Sequence, residues 1–151
     1  MREQPIRLED VIDWMRETLD AGRSVSFFPR GRSMLPFLKE GRDSVTIVKA
    51  SERLKKYDVA LYRRHGGQFV LHRVMRARES YTFIGDNQYV LEHGITHDQI
   101  IGVCVSFTVK GKEIGADSIS LRLRVVLWHA TRFPRRVILG VLRRVRSLFK
   151  R

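Results

Sequence analysis

Cysteine is nearly absent from these 151 residues, with Cys104 standing alone. An internal disulfide is therefore excluded, and nothing in the chain demands an oxidising compartment. The one thiol falls in the apolar run from Ile101 to Val109, where it reads as a small buried side chain rather than a reactive group. Long apolar stretches are lacking as well. No segment reaches the ~20 apolar residues that a bilayer-spanning helix needs, and the acids distributed through Met1 to Asp20 argue against a secretory signal or signal anchor there. Internal repeats, low-complexity tracts and long linkers are also missing. With 43% hydrophobic and 30% charged residues, the composition excludes a disordered or collagen-like chain. Its length fits one core and is too short for two.

The last absence is of negative charge. All 16 acidic residues lie in residues 1–118, together with 19 of the 29 basic ones, so that part carries +3 (19 minus 16). Residues 119–151 hold the other ten basic residues and no acid, and carry +10 of the net +13. An electrostatic partner would therefore meet the C-terminal segment.

Hydrophobic periodicity divides the chain in the same place. Leu8, Val11, Ile12, Met15 and Leu19 follow helical spacing, Glu9 and Asp10 suit a first turn, and Gly22 supplies a stop, which predicts a short amphipathic helix. From Ser24 to Val109 the period is two. Val45 and Ile47 alternate with polar neighbours, Asp58 to Arg63 is a short apolar run, and Phe69 to Met75 follows the turn His65-Gly66-Gly67. Tyr81 to Ile84 and Ile101 to Val109 complete about five to seven strands, compatible with a closed or coiled antiparallel sheet. After Gly115 helical spacing returns, first with Leu121, Val125, Leu127 and Trp128. Beyond a break near Phe133-Pro134 come Ile138, Val141, Leu142, Val145 and Leu148 on one face, against Arg135, Arg143, Arg144 and Arg146. The expectation is a mainly β body with an N-terminal amphipathic helix, residues 1–118, followed by a basic helical extension, residues 119–151.

Three places could carry chemistry. Ser33 follows the Val25-Ser26-Phe27-Phe28 strand in a loop shaped by Gly31 and Pro36, where a hydroxyl can be aimed by backbone geometry; by itself such a serine is an ordinary turn residue. His72 sits on a strand facing the same side as Val70 and Val74, where a satisfied core histidine is the usual occupant. Gly85-Asp86-Asn87 reads first as a turn. His93 and His97 have metal-ligand spacing only on a helix, and Gly94, Ile95 and Thr96 between them are poor helix formers, so no metal or other cofactor is expected.

Order and spacing change the weight of these residues. Ser33 to Pro36 (Ser-Met-x-Pro), Asp58 to Tyr62 (Asp-Val-x-x-Tyr), His72 to Val74 (His-Arg-Val), Gly85 to Asn87 (Gly-Asp-Asn) and Asp98 to Val103 (Asp-x-x-x-Gly-Val) together resemble the blocks of the S24/S26 serine peptidases. The resemblance covers roughly residues 24–109. It implies a coiled, antiparallel LexA/signal-peptidase-like β body and a serine endopeptidase that cleaves a peptide or a leader-like segment, with small residues favoured before the cut. Ser33 would be the nucleophile and His72, where many relatives place lysine, the general base. The resemblance puts the orienting acid in or near the Gly-Asp-Asn block, with Asp86 and Asp98 as candidates. That inventory suits acyl transfer, since a serine hydroxyl needs a base to take its proton and the base a carboxylate to fix its tautomer.

The chain departs from the family in two ways. Where signal peptidases often carry Ser-Gly before the nucleophile it has Gly31-Arg32, which leaves oxyanion stabilisation to backbone N–H groups near Ser33 with Arg32 assisting. It also shows no N-terminal anchor, so the expected location is cytoplasmic and peripheral on a membrane. A LexA-like self-cleaving protein is the rival within the family, but only about 23 residues precede the first strand, too few for a helix-turn-helix domain. Its candidate cleavage pair, Ala21-Gly22, is close to Ser33. The rival outside the family is a non-enzymatic basic module whose residues 119–151 bind anionic lipid or, less favoured, nucleic acid. Trp128 and Phe149 at helix edges incline that choice towards lipid.

Overall fold

The computed structural model describes residues 8–148, and this part of the chain divides into two compact units that meet between Ser118 and Ile119. The first unit begins with α1 (Leu8–Asp20). Its end is set by Gly22, whose φ of 74° only glycine adopts without strain; the Gly22 and Arg23 N–H groups then donate to the carbonyls of Leu19 and Thr18. Ile12, Met15 and Leu19 are buried, and Trp14 is exposed.

Eight strands follow: β1 (Val25–Phe27), β2 (Ser44–Val48), β3 (Val59–Arg63), β4 (Phe69–Ala77), β5 (Tyr81–Ile84), β6 (Glu92–Ile95), β7 (Ile100–Val109) and β8 (Lys112–Gly115). Every pairing is antiparallel, in the order β1-β2-β7-β3-β4-β5-β6, with β8 pairing β7. The unit is therefore mainly antiparallel β, with β1 at one end of the order and the long β7 in the interior. Two of the strands escape the sequence pattern. β6 is a largely polar tract containing glycine, and β8 lies beyond the last apolar run; each forms because a neighbour supplies the ladder, β5 for β6 and the long β7 for β8.

One face of the sheet packs Leu54, Ala60, Tyr62, Val74, Tyr81, Phe83 and Ile95 into a core, with Tyr62 stacked on Phe83 at 4.2 Å between ring centres. α1 approaches the sheet where β7 carries Gly102. A Cβ on that residue would lie 2.9 Å from the Val48 carbonyl oxygen, 3.0 Å from Ile47 Cδ1 and 3.2 Å from Leu19 Cδ1, so the close approach requires the missing side chain. Asp43, fully buried before β2, accepts from the backbone N–H groups of Lys39 and Lys110 and from Arg42. The Arg42 hydrogen bonds hold its carboxyl down at about 2, and the same contacts pin the turn before β2 to the β7–β8 hairpin.

The second unit consists of α2 (Ile119–Ala130) and α3 (Arg132–Leu148). The break falls at Thr131, close to Phe133-Pro134, near which the sequence pattern places it. Pro134 would clash with the carbonyl four residues back, that of Ala130, so the chain must leave α2 there; the proline is then tolerated in the first turn of α3, where no intrahelical N–H bond is required. Among the described residues no helix is long and apolar enough to cross a membrane. Phe149 lies outside the described residues.

Substituting Gly102→Ala should destabilise the first unit by about 1–3 kcal/mol through overpacking between β7, β2 and α1. Thermal unfolding should show this as a lower Tm at unchanged fold by circular dichroism; an unchanged Tm would mean that α1 can withdraw freely from the sheet.

Candidate active site

Ser33 lies in the segment between β1 and β2. Gly31 takes φ 87°, a conformation open to glycine, and the chain then turns with the Leu35 N–H bonded to the Arg32 carbonyl and the Phe37 and Leu38 N–H groups to that of Met34. Met34 and Leu38 are buried and anchor the turn, Ser33 is half-buried and Arg32 is exposed.

The Gly85-Asp86-Asn87 turn after β5 grips this loop from behind. The Asn87 N–H donates to the Ser33 carbonyl at 2.8 Å, and a Cβ on Gly85 would stand only 2.8 Å from the same oxygen. Any side chain at 85 would push the Ser33 backbone away. Asp86, at 1% exposure, forms a two-pronged ion pair with Arg73, Oδ1 to Nε at 2.7 Å and Oδ2 to Nη2 at 2.8 Å. Arg73 also donates to the Tyr57 carbonyl at 2.9 Å and lies over the Phe37 ring. This turn thus holds the serine loop and the strand bearing His72 in one register.

His72 precedes Arg73 on β4 and points to the opposite side of the strand, where its Nδ1 is 3.3 Å from the Tyr62 hydroxyl and 4.0 Å from Glu92 Oε2. Tyr62, on β3, donates to Glu92 Oε2 at 2.6 Å, and Glu92, on β6, accepts from Arg64 Nε at 2.9 and 3.0 Å. Burial is the main influence on the ring and lowers its pKa from 6.5 to about 4; Arg64 pushes in the same direction, and Glu92 and Asp86 oppose it. Burial first, and then the bond to Glu92, push the Tyr62 phenol far above its usual range.

The structure therefore changes the expected third member of the constellation. The ring's hydrogen-bond partner is Tyr62, backed by Glu92, and not Asp86 or Asp98. Both Asp86 oxygens accept from Arg73, and its charge also bears on His72. Asp98 sits in a short 3-10 helix (His97–Gln99), where a hydrogen bond from Thr96 lowers its pKa, and it serves the turn into β7. Glu92 escaped sequence reasoning because its strand has no alternation to mark it. Tyr62 was visible as the last residue of the Asp-Val-x-x-Tyr block, but without a role.

Ser33 and His72 line the same cavity of about 430 Å³. Its other walls come from α1 (Val11, Trp14, Met15), from β1 and the residues after it (Val25, Phe27, Phe28), and from Leu61 and Leu71. Among the described residues no hydrogen bond joins the Ser33 hydroxyl to the His72 ring. The other candidates stand apart. His93 and His97 turn to different partners, Thr82 at 3.2 Å and Tyr81 at 2.9 Å, and no group of three metal-ligating side chains occurs among the described residues. Cys104 is buried on β7, where desolvation raises its thiol pKa, as suits an inert side chain. No protein-family model, curated protein or solved structure matches this chain.

Asp86→Ala should cost about 3–5 kcal/mol, because it leaves the buried Arg73 guanidinium uncompensated. Replacing both partners, Arg73→Met with Asp86→Leu, should cost less than that single change. Urea denaturation of the three proteins checks the order, and a single variant as stable as the parent would remove the pair from its structural role.

Proposed function

We propose that the first unit is a serine endopeptidase with Ser33 as nucleophile and His72 as general base, its β body a coiled sheet of the LexA/signal-peptidase kind. The observation that carries the reading is that both residues line one cavity, with the base kept neutral by burial. A neutral imidazole is the form that can accept the serine proton. In acylation the Ser33 hydroxyl would attack a peptide carbonyl as His72 takes its proton. The carbonyl oxygen would draw on backbone N–H groups near Ser33, with the exposed Arg32 at hand.

The substrate would enter as an extended strand. β1 ends the sheet order and leads directly into the serine loop, so a peptide laid along it would gain main-chain hydrogen bonds and present alternate side chains to the apolar cavity. That cavity exceeds what an alanine-sized side chain fills, and its walls favour apolar over charged residues. Cleavage of the chain's own Ala21-Gly22 bond is disfavoured, since these residues form the hydrogen-bonded end of α1 rather than an extended segment.

The second unit supplies a means of attachment. On α3 the side chains of Phe133, Val137, Ile138, Val141, Leu142 and Val145 are exposed and lie on one half of the helix, with Arg132, Arg135 and Arg136 on the other. Such a helix lies in an interface, apolar side in the acyl boundary and arginines among anionic headgroups, each worth about 1 kcal/mol near the surface. We read residues 119–151 as this peripheral anchor. A nucleic acid would use the charge and leave the apolar half without purpose.

Three outcomes follow. Ser33→Ala and His72→Ala should each abolish peptide turnover, and the double variant should be little worse than either, because the two act as a unit. Activity as kcat/KM should rise with pH through about 4 and then stay level, since the base form of His72 is already populated above that value; a midpoint at or above 6.5 would place the ring in water, not in this site. The intact chain should bind vesicles rich in phosphatidylglycerol and release them at high salt, and Val141→Glu with Leu142→Glu should prevent binding. Binding unaffected by those substitutions, or matched by duplex DNA, would overturn the lipid reading.

A further inference from the structure

The Tyr62 hydroxyl has one proton, and the geometry commits it. At 2.6 Å from Glu92 Oε2 the phenol is within a short, charge-assisted hydrogen bond of a carboxylate that is also held by Arg64. A carboxylate can only accept, so the phenol donates to it. Towards His72, 3.3 Å away, Tyr62 then offers a lone pair. If Nδ1 were bare, two lone pairs would face each other inside the protein. Nδ1 must carry the hydrogen, and in a neutral imidazole that leaves Nε2 as the basic nitrogen.

We propose that Tyr62 and Glu92, with Arg64 behind them, are positioning residues that hold His72 in its Nδ1–H tautomer, so that Nε2 is the nitrogen available to Ser33. The inference rests on the peptidase reading for its chemistry, while its geometry stands independently of it. As the bond from Ser33 Oγ to the substrate carbon forms, the hydroxyl proton passes to Nε2 and the carbonyl electron pair moves onto oxygen. The imidazolium then has both nitrogens protonated, with Nδ1–H still donating to Tyr62 and the Glu92 carboxylate 4.0 Å from the new charge. Return of the oxygen's electron pair breaks the carbon–nitrogen bond, and Nε2 gives its proton to the leaving amine. Water next attacks the acyl ester, losing a proton to Nε2, and that proton returns to Ser33 Oγ as the acid leaves.

The tyrosine lets a carboxylate serve the ring from a distance. The Tyr62 ring is fixed between the core, where it stacks on Phe83, and the Glu92–Arg64 pair. The charged and titratable groups around His72 come from three directions: Tyr62 and Arg64 from β3 and its end, Glu92 from β6, and Asp86 from the turn after β5. Arg73, its neighbour on β4, faces away and is neutralised by Asp86. Arg64 therefore has two opposing effects. It holds Glu92 in place, and its own charge disfavours the imidazolium.

The test is nitrogen-15 NMR of His72 in the intact chain near neutral pH, its signal assigned by loss in His72→Gln. The parent should show Nδ1 protonated and Nε2 bare. Tyr62→Phe, which keeps the stacked ring, and Glu92→Gln, which keeps the shape, should both abolish that preference. Each should lower kcat by roughly 10- to 100-fold, part of the 10²–10⁴ that a general base supplies, with KM unchanged. Arg64→Gln should move the His72 midpoint upward from about 4 by removing the opposing cation, an effect that loosened packing alone would not single out. An Nε2–H tautomer in the parent, or an Nδ1–H tautomer undisturbed in both variants, would overturn the relay. A Ser33 inert to a serine-directed phosphonate, with the tautomer responding as described, would uphold the relay and overturn the peptidase reading instead.

Discussion

The buried ion pair between Arg73 and Asp86 is the constraint around which the first unit's site is built. It sits one residue beyond His72 on β4 and one residue before Asn87, whose N–H holds the Ser33 carbonyl. Two segments far apart in sequence, the serine loop and the histidine strand, are thereby referred to a single turn. Both charges are almost wholly removed from water. Their desolvation is offset only because the geometry is two-pronged and a further Arg73 donor, Nη1, finds the Tyr57 carbonyl. Such a pair contributes less to net stability than its short distances imply. Its value is in register, since neither partner can move without stranding the other.

This arrangement separates two duties that a carboxylate beside a histidine could have combined. Asp86 fixes the backbone on one side of β4, and Glu92 acts on the ring from the other, through a tyrosine. The side of the strand decides which duty a carboxylate can have. His72 and Arg73 are adjacent in sequence, yet alternation sends one to the Tyr62 side and the other to the Phe37 side. A residue read only by its block, as Asp86 was, is therefore assignable to the correct region and not to the correct role.

The same reasoning explains what was legible in the sequence. α1, with its apolar period and Gly22 stop, and the strands from β1 to β5 and β7 are written in local pattern, β2 by alternation and β3 and β5 as short apolar runs buried on both faces. β6 has no such signature. Of its residues, Glu92-His93-Gly94-Ile95, only Ile95 is apolar and buried, and the strand exists because β5 offers it a partner edge. Glu92 becomes visible only when that pairing folds it towards β3, so the carboxylate that backs the histidine's tyrosine partner was carried by the element least marked in the sequence. The helix break was legible to within a few residues, because a proline acts on the carbonyl four residues behind it and so puts the interruption at Thr131, just before Pro134. Trp128, read as a ring inclining the segment towards lipid, lies beneath the Arg135 guanidinium at 3.3 Å.

Burial of His72 carries a cost for the chemistry as well as a benefit. A ring whose pKa has fallen to about 4 is neutral throughout the ordinary pH range and always ready to accept a proton, but it is a weaker base than an exposed imidazole. On the proposed peptidase reading, the barrier to taking the Ser33 proton would rise accordingly unless the imidazolium gained something as it formed. Glu92 provides that gain only from a distance, because a carboxylate in direct contact would hold the ring protonated in the resting state and remove the base. Interposing Tyr62 weakens the coupling enough to leave the resting ring neutral, while the phenol oxygen still accepts from Nδ1–H and strengthens as an acceptor when the ring becomes charged. Arg64 tempers the carboxylate further. The order ring, phenol, carboxylate, guanidinium thus sets a balance between availability and strength that no single neighbour of His72 could set alone.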